Sequence, residues 1–162
     1  MKIVFFTFYY PPDLCAGSFR AIALAQALSK RMKNDDELHI ITTHPNRYEN
    51  HRVKASDIEV HGNITIHRIS VPSHKSGMFS QARTFVTYAL ASYKLCNKLN
   101  PDFLIGTTSR LMTGILTGLS ARKLGCKYFI DLRDIFSETI SDIFSQKSKL
   151  LGAISKKTFS LL

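Results

Sequence analysis

The sequence predicts an open, doubly wound α/β sheet, mostly parallel, with helices on both faces. Three observations predict it. Residues 2 to 8 are a continuous apolar and β-branched run, strand-like and helix-like segments then alternate along the chain, and no repeat, low-complexity tract or linker divides the 162 residues. A strand apolar at nearly every position is one buried on both faces, as in parallel sheets. Alternation of such strands with helices selects the layered α/β class, and the length suits one domain.

The first run, residues 2 to 8, is expected at the sheet centre. Residues 9 to 18 form a loop containing Pro11, Pro12, Asp13 and Gly17, and Ser18 is placed as the N-cap of the helix that follows. In that helix Ile22, Ala25, Leu28 and Met32 share a face, with Lys30, Arg31 and Lys33 at the end where the helix dipole favours cations. Residues 38 to 43 supply a second strand and close a βαβ unit; the polar stretch 44 to 57 reads as a surface loop. Residues 58 to 60 and 64 to 69 flank the turn-forming His61-Gly62-Asn63 and predict a short hairpin or a paired strand.

After a loop over 70 to 79, residues 80 to 100 carry Ala82, Val86, Ala89, Tyr93 and Cys96 at helical spacing and stop at Pro101. Residues 102 to 106 are the next strand. The next helix runs over 111 to 124, with Leu111, Ile115 and Leu119 at i+4 steps and Gly125 as its C-terminal stop. Residues 127 to 131 read as another buried strand that delivers Leu132-Arg133-Asp134 at its end, and the tail from 135 to 162 reads as helical.

Composition narrows the class. Apolar residues make up 44% and charged residues 21%, ordinary for a globular protein, and no run reaches the roughly 20 apolar residues of a membrane span. The first apolar run ends in Tyr9-Tyr10-Pro11-Pro12, unlike a signal peptide, so a cytoplasmic protein is expected. Cys15, Cys96 and Cys126 are odd in number and lack metal-ligand spacing, which assigns them structural roles in a reducing compartment. The six histidines also lack such spacing: His39, placed before a strand, and His67, within one, are read as structural, and His44 at a strand end is the one nearest a functional position. No metal is expected. The net charge of +10 and pI near 9.7 call for an anionic partner: nucleic acid, an anionic membrane or a phosphorylated substrate. Nucleic acid is disfavoured, because neither a recognition helix nor basic residues interleaved with exposed aromatics can be found.

Ligands of open α/β sheets sit beyond the C-terminal strand ends. Three clusters fall there: residues 9 to 20, Gly106-Thr107-Thr108-Ser109-Arg110, and Asp131-Leu132-Arg133-Asp134. Gly17 lacks a Cβ and lets backbone approach a ligand, the N–H groups at the start of the following helix favour phosphate, and Arg20 can add a charge-assisted bond. Alternatively Gly17 and Ser18 only turn and cap the chain, and the residues alone leave both readings open. Arg133 and Asp134 can place a guanidinium and a carboxylate at the crevice mouth, although a surface ion pair is the commoner arrangement. Thr107 and Thr108 can bind sugar or phosphate, and Ser109 is better suited to capping. The first loop lacks both GxGxxG and GxxxxGK[ST], which disfavours a dehydrogenase or P-loop enzyme, and no Ser-His-Asp order or carboxylate pair stands out.

Phe8-Tyr9-Tyr10-Pro11-Pro12-Asp13 through Ala16-Gly17-Ser18-Phe19-Arg20-Ala21, followed by Leu24-Ala25 and Leu28, resembles the opening of family-4 GT-B glycosyltransferases. The likeness is to O-antigen, colanic acid and capsule sugar transferases, the fucosamine transferase type among them. Ile130-Asp131-Leu132-Arg133-Asp134-Ile135-Phe136-Ser137-Glu138 resembles a second element of that family, with Phe136-Ser137 where the family usually has Trp-Pro.

The resemblance implies the N-terminal, acceptor-side Rossmann-like half of a two-domain enzyme, occupying residues 1 to 162, with the donor-binding domain expected beyond Leu162. It implies transfer of a sugar from a nucleotide-diphosphate sugar to a polyprenyl-diphosphate-linked saccharide, with retention and without a metal or other cofactor, at the inner face of the cytoplasmic membrane. Arg133 and Asp134 are then expected beside the reacting sugar, and Gly17, Ser18, Arg20, Thr108 and Glu138 around substrate or phosphate. An isolated N-terminal half is expected to be inactive. Two other readings stay open: a nucleotide-binding domain of an epimerase or dehydrogenase, and a non-catalytic basic module for nucleic acid or protein.

Overall fold

The computed structural model describes residues 1–45, 54–72, 78–108 and 111–133. Met1–Asp131 forms one compact unit, and Leu132–Leu162 is a second, of which only Leu132 and Arg133 are described. The predicted helical tail therefore lies outside the described residues. In chain order the elements are β1 (Lys2–Phe6), α1 (Ala16–Ser29), β2 (Glu37–Thr43), β3 (Ile58–His61), β4 (Ile64–Ile69), α2 (Met78–Leu99), β5 (Phe103–Thr107), α3 (Leu111–Leu124) and β6 (Lys127–Asp131).

The six strands form one sheet in the order β3-β4-β2-β1-β5-β6. Every pairing is parallel except β3 with β4, which form the predicted hairpin. The fold is thus a Rossmann-like, mostly parallel α/β layer structure with helices on both faces. β1 is central, and its Val4, Phe5 and Phe6 are fully buried. Alternation along the strands divides the core in two. Ile3, Phe5, Leu38, Ile40, Ile64 and Ile66 meet Ala21 and Ala25 of α1 on one face. Val4, Phe6, Ile41 and Leu104 meet Phe85, Tyr88 and Cys96 of α2 and Leu116 and Ala121 of α3 on the other. Burial pushes the Cys96 thiol up to about 12, well above the range of a reactive cysteine.

Several expectations are corrected. α1 begins at Ala16 with Cys15 as its N-cap, so Ser18 lies inside the first turn and does not cap it. His39 lies within β2 rather than before it. In α2 the sheet-facing side is set by Phe85, Tyr88, Ser92 and Cys96, while Ala82 and Val86 are exposed. β6 is the last strand of the sheet, and Tyr128 and Phe129 are 52% and 55% exposed rather than buried.

In α3, Ile115 and Leu119 face outward with Met112, and Thr113, Gly114, Thr117, Ser120 and Ala121 face inward. Close approach to the sheet explains this arrangement. A Cβ on Gly106 of β5 would stand 2.0 Å from Thr117 Oγ1, and one on Gly114 would stand 3.1 Å from Thr108 Cγ2. Only small side chains fit between a helix and a strand at that separation. The Thr117 hydroxyl is satisfied inside the helix, donating to the Thr113 carbonyl at 2.8 Å.

Candidate functional site

The chain leaves β1 through α1 toward β2 on one side and leaves β5 through α3 toward β6 on the other. The adjacent C-terminal ends of β1 and β5 are therefore the switch point of the sheet, where this architecture opens its crevice. Among the described residues, Arg20 near the start of α1, Thr107 at the end of β5 with Thr108 just beyond it, and Asp131 at the end of β6 are joined there by a hydrogen-bond network.

Asp131 organises it. Arg20 donates through Nε to Asp131 Oδ2 at 2.8 Å and through Nη2 to Oδ1 at 2.6 Å, a two-pronged pair spanning 111 residues of sequence. Thr107 Oγ1 donates to Asp131 Oδ2 at 3.2 Å, and Thr108 donates to the Asp131 carbonyl from its amide at 3.0 Å and its hydroxyl at 3.3 Å. Hydrogen bonding to Asp131, followed by its charge, raises the Arg20 pKa above the ordinary guanidinium value. The forked geometry matches a planar guanidinium to a carboxylate. Arg20 is thereby committed to a protein carboxylate that ties α1 to the β5–β6 edge.

The loop after β1 is held from below. Phe8 packs its ring against Tyr9 and Tyr88 at centroid separations of 5.1 and 5.2 Å. Its carbonyl accepts from Thr43 Oγ1 at 2.7 Å and Thr42 Oγ1 at 3.3 Å. The Tyr88 hydroxyl, fully buried on α2, donates to the Ile41 carbonyl at 2.8 Å and lies 3.2 Å from that of Thr7; burial pushes its pKa up. Farther along the loop, Arg68 Nη2 donates to the Pro11 carbonyl at 2.8 Å, with Arg68 Nη1 also 2.9 Å from Glu59. Buried carbonyls in an irregular segment need such partners, and they fix the route by which the loop reaches α1.

At the start of α1, Gly17 and Ser18 are buried, and the N-cap Cys15 makes no side-chain capping bond. The Ser18 hydroxyl is 0% exposed and has no hydrogen-bond partner among the described residues. A buried hydroxyl without a partner among the described residues, at a helix start whose N-cap side chain makes no capping bond, is chemistry suited to an oxyanion.

Of the sequence-predicted site residues, Gly17, Ser18, Arg20 and Thr108 belong to these converging elements. Arg133 is described but belongs to the second unit, and Asp134 and Glu138 lie outside the described residues. His44 pairs with Asp57 at 2.8 Å, and His39 Nδ1 meets His67 Nε2 at 3.1 Å between β2 and β4. Among the described residues no three His, Cys, Asp or Glu side chains gather as a metal centre requires. Sequence reasoning missed Asp131 as the organiser and Tyr88 as a support. The signal available for Asp131 was an acidic residue ending a strand in register with Thr107; for Tyr88 there was none.

No family model and no curated protein matches the chain. Solved structures do. Sucrose-phosphate synthase from Thermosynechococcus elongatus superposes with a TM-score of 0.61 at 11% identity over 83% of this chain. The chain spans 33% of that protein's length. The C-terminal domain of a hydrogenase from Pyrococcus furiosus superposes with a TM-score of 0.52 at 10% identity, over 81% of this chain and 90% of that domain. At such identities the likeness shows the fold, and two neighbours with unrelated names show how widely one fold is used. Among the described residues no helix is long and apolar enough to cross a membrane. The chain therefore carries a Rossmann-like layer, the fold it shares with both neighbours, with hydrogen-bonded residues gathered at the C-terminal ends of β5 and β6 and the start of α1.

Proposed function

We propose that this chain is the acceptor-side layer of a glycosyltransferase that moves a sugar from a nucleotide-diphosphate sugar to a polyprenyl-diphosphate-linked saccharide in surface-polysaccharide synthesis, with retention and at an anionic membrane surface. The observation that carries this reading is the first turn of α1 at the switch point, where the buried Ser18 hydroxyl has no hydrogen-bond partner among the described residues and the N-cap Cys15 side chain makes no capping bond. Those groups suit a diphosphate oxygen. The strand-end motif and the basic composition support the same reading.

In this account Gly17 and Ser18 receive phosphate oxygens and Thr108 borders the substrate, while the roles of Arg133, Asp134 and Glu138 toward the reacting sugar rest on the strand-end motif alone. Arg20, paired with Asp131, is a positioning residue that keeps α1 against the β6 end. The test is transfer of labelled sugar from nucleotide-diphosphate sugars to a polyprenyl-diphosphate saccharide by the protein that carries this chain. Gly17→Val and Arg133→Ala are each expected to lower transfer on the order of 10²-fold while leaving the domain folded. Tight nicotinamide binding without any sugar transfer would overturn the reading.

A further inference from the structure

The outer surface of the α2–α3 layer carries large apolar side chains and no acidic ones. α2 exposes Phe79, Val86 and Leu90 at 92%, 53% and 59%, a spacing that aligns them on one stripe. α3, packed beside α2, exposes Met112, Ile115 and Leu119 at 47%, 43% and 60%, again on one stripe. Neither helix contains an aspartate or glutamate. Arg83, Lys94 and Lys98 on α2 and Arg122 and Lys123 on α3 are exposed, and none joins an ion pair among the described residues. By contrast, Asp35, Asp36 and Glu37 cluster before and at the start of β2, and Glu59 lies on β3 with Asp57 just before it.

We propose that the outer face of α2 and α3 is an interfacial surface that lies on an anionic lipid bilayer, its apolar stripes entering the headgroup boundary and its five cations meeting lipid phosphates. Two adjacent helices, each apolar outward and cationic at the flanks, have the character of an interfacial element rather than of a solvated face. Charge decides the occupant. Unpaired cations without a single acidic residue complement an anionic leaflet, whereas a second copy would set the cations of one chain against those of the other. The proposal adds a surface to the membrane partner named above and rests on that reading only in its choice of a bilayer.

Sedimentation of the 162-residue chain with phosphatidylglycerol-containing and pure phosphatidylcholine vesicles tests it. Binding is expected with the anionic vesicles and to weaken with salt. The Phe79→Ser/Leu90→Ser/Leu119→Ser variant, all at exposed positions, is expected to bind at least about tenfold more weakly. Arg83→Gln/Lys94→Gln/Lys98→Gln is expected to lose a similar factor, with unchanged circular dichroism in both variants. Lys30→Gln/Arg31→Gln, which removes charge at the end of α1, is expected to bind as wild type. Equal loss in that control, or no loss in the α2 and α3 variants, overturns the assignment. So does a dimer in free solution that the triple serine variant dissociates, since it would give the face to a second copy. In the protein that carries this chain, transfer to a water-soluble acceptor is expected to persist in these variants; its absence from that wild-type protein counts against the transferase reading and leaves the vesicle result standing.

Discussion

α1 and α3 flank the same crevice from opposite faces of the sheet and are built in opposite senses. α1 turns Ala21 and Ala25 into an apolar cluster, with Ile22, Leu24 and Leu28 packed around them and Arg20 and Gln26 toward solvent. α3 turns hydroxyls and a glycine toward the sheet and its large apolar residues away from it. The difference teaches that an apolar stripe marks the buried side of a helix only where the sheet leaves room for it. Gly106 and Thr117 leave none, so the stripe of α3 faces outward and becomes available for another use.

The comparison breaks most visibly at that contact. Gly106→Ala places a methyl 2.0 Å from Thr117 Oγ1 and is expected to cost about 1–3 kcal/mol in urea denaturation. Adding Thr117→Ala should recover part of the loss, because the two positions share one contact. An unchanged denaturation midpoint in Gly106→Ala would mean that α3 does not lie this close to β5.

A smaller effect is expected from Tyr88→Phe, about 1.5 kcal/mol, because it removes a buried hydroxyl that serves the Ile41 and Thr7 carbonyls. Wild-type stability in this variant would show that the loop after β1 does not depend on α2. Leu119→Ser on the outer side of α3 is expected to change stability by less than about 0.5 kcal/mol. A loss of about 2–5 kcal/mol would instead mark that side chain as interior and restore the conventional sense of the helix.

The smallest effect concerns pH. Burial, and secondly the charge of His39, hold the His67 pKa below its ordinary value of 6.5. The unfolded chain then takes up the proton more readily than the folded one. His67 places no penalty on stability at higher pH, and stability declines as pH falls below 6.5 toward the depressed folded value. His67→Gln should flatten that part of a melting-temperature profile, and an unchanged slope would assign it to other groups.

The central strand, the hairpin and the order of the elements were legible because each rests on local pattern: the apolar run of β1, the turn residues His61-Gly62-Asn63, and Pro101 after α2. The inward side of α3 was not legible, because hydroxyl and glycine positions look polar or neutral until a close approach gives them a role. β6 was misread because Tyr128 and Phe129 reveal apolarity but not whether a neighbour covers them. The candidate site was half legible. Gly17, Ser18 and Thr108 follow from their places at strand ends, whereas the bond from Arg20 to Asp131 joins positions 111 residues apart and has no local signature. As an N-cap Ser18 was misread, since the helix starts earlier, at Ala16.

The central claim is that the first turn of α1 at the β1–β5 switch point receives a diphosphate. Amide hydrogen exchange of the chain, with and without a short-chain, water-soluble prenyl diphosphate, tests it most directly. The account predicts slowed exchange at Gly17, Ser18 and Phe19 that Gly17→Val abolishes. Unchanged exchange there at saturating ligand, or protection confined to the groove of about 380 Å³ lined by Tyr10, Gln26 and Arg68, would contradict it.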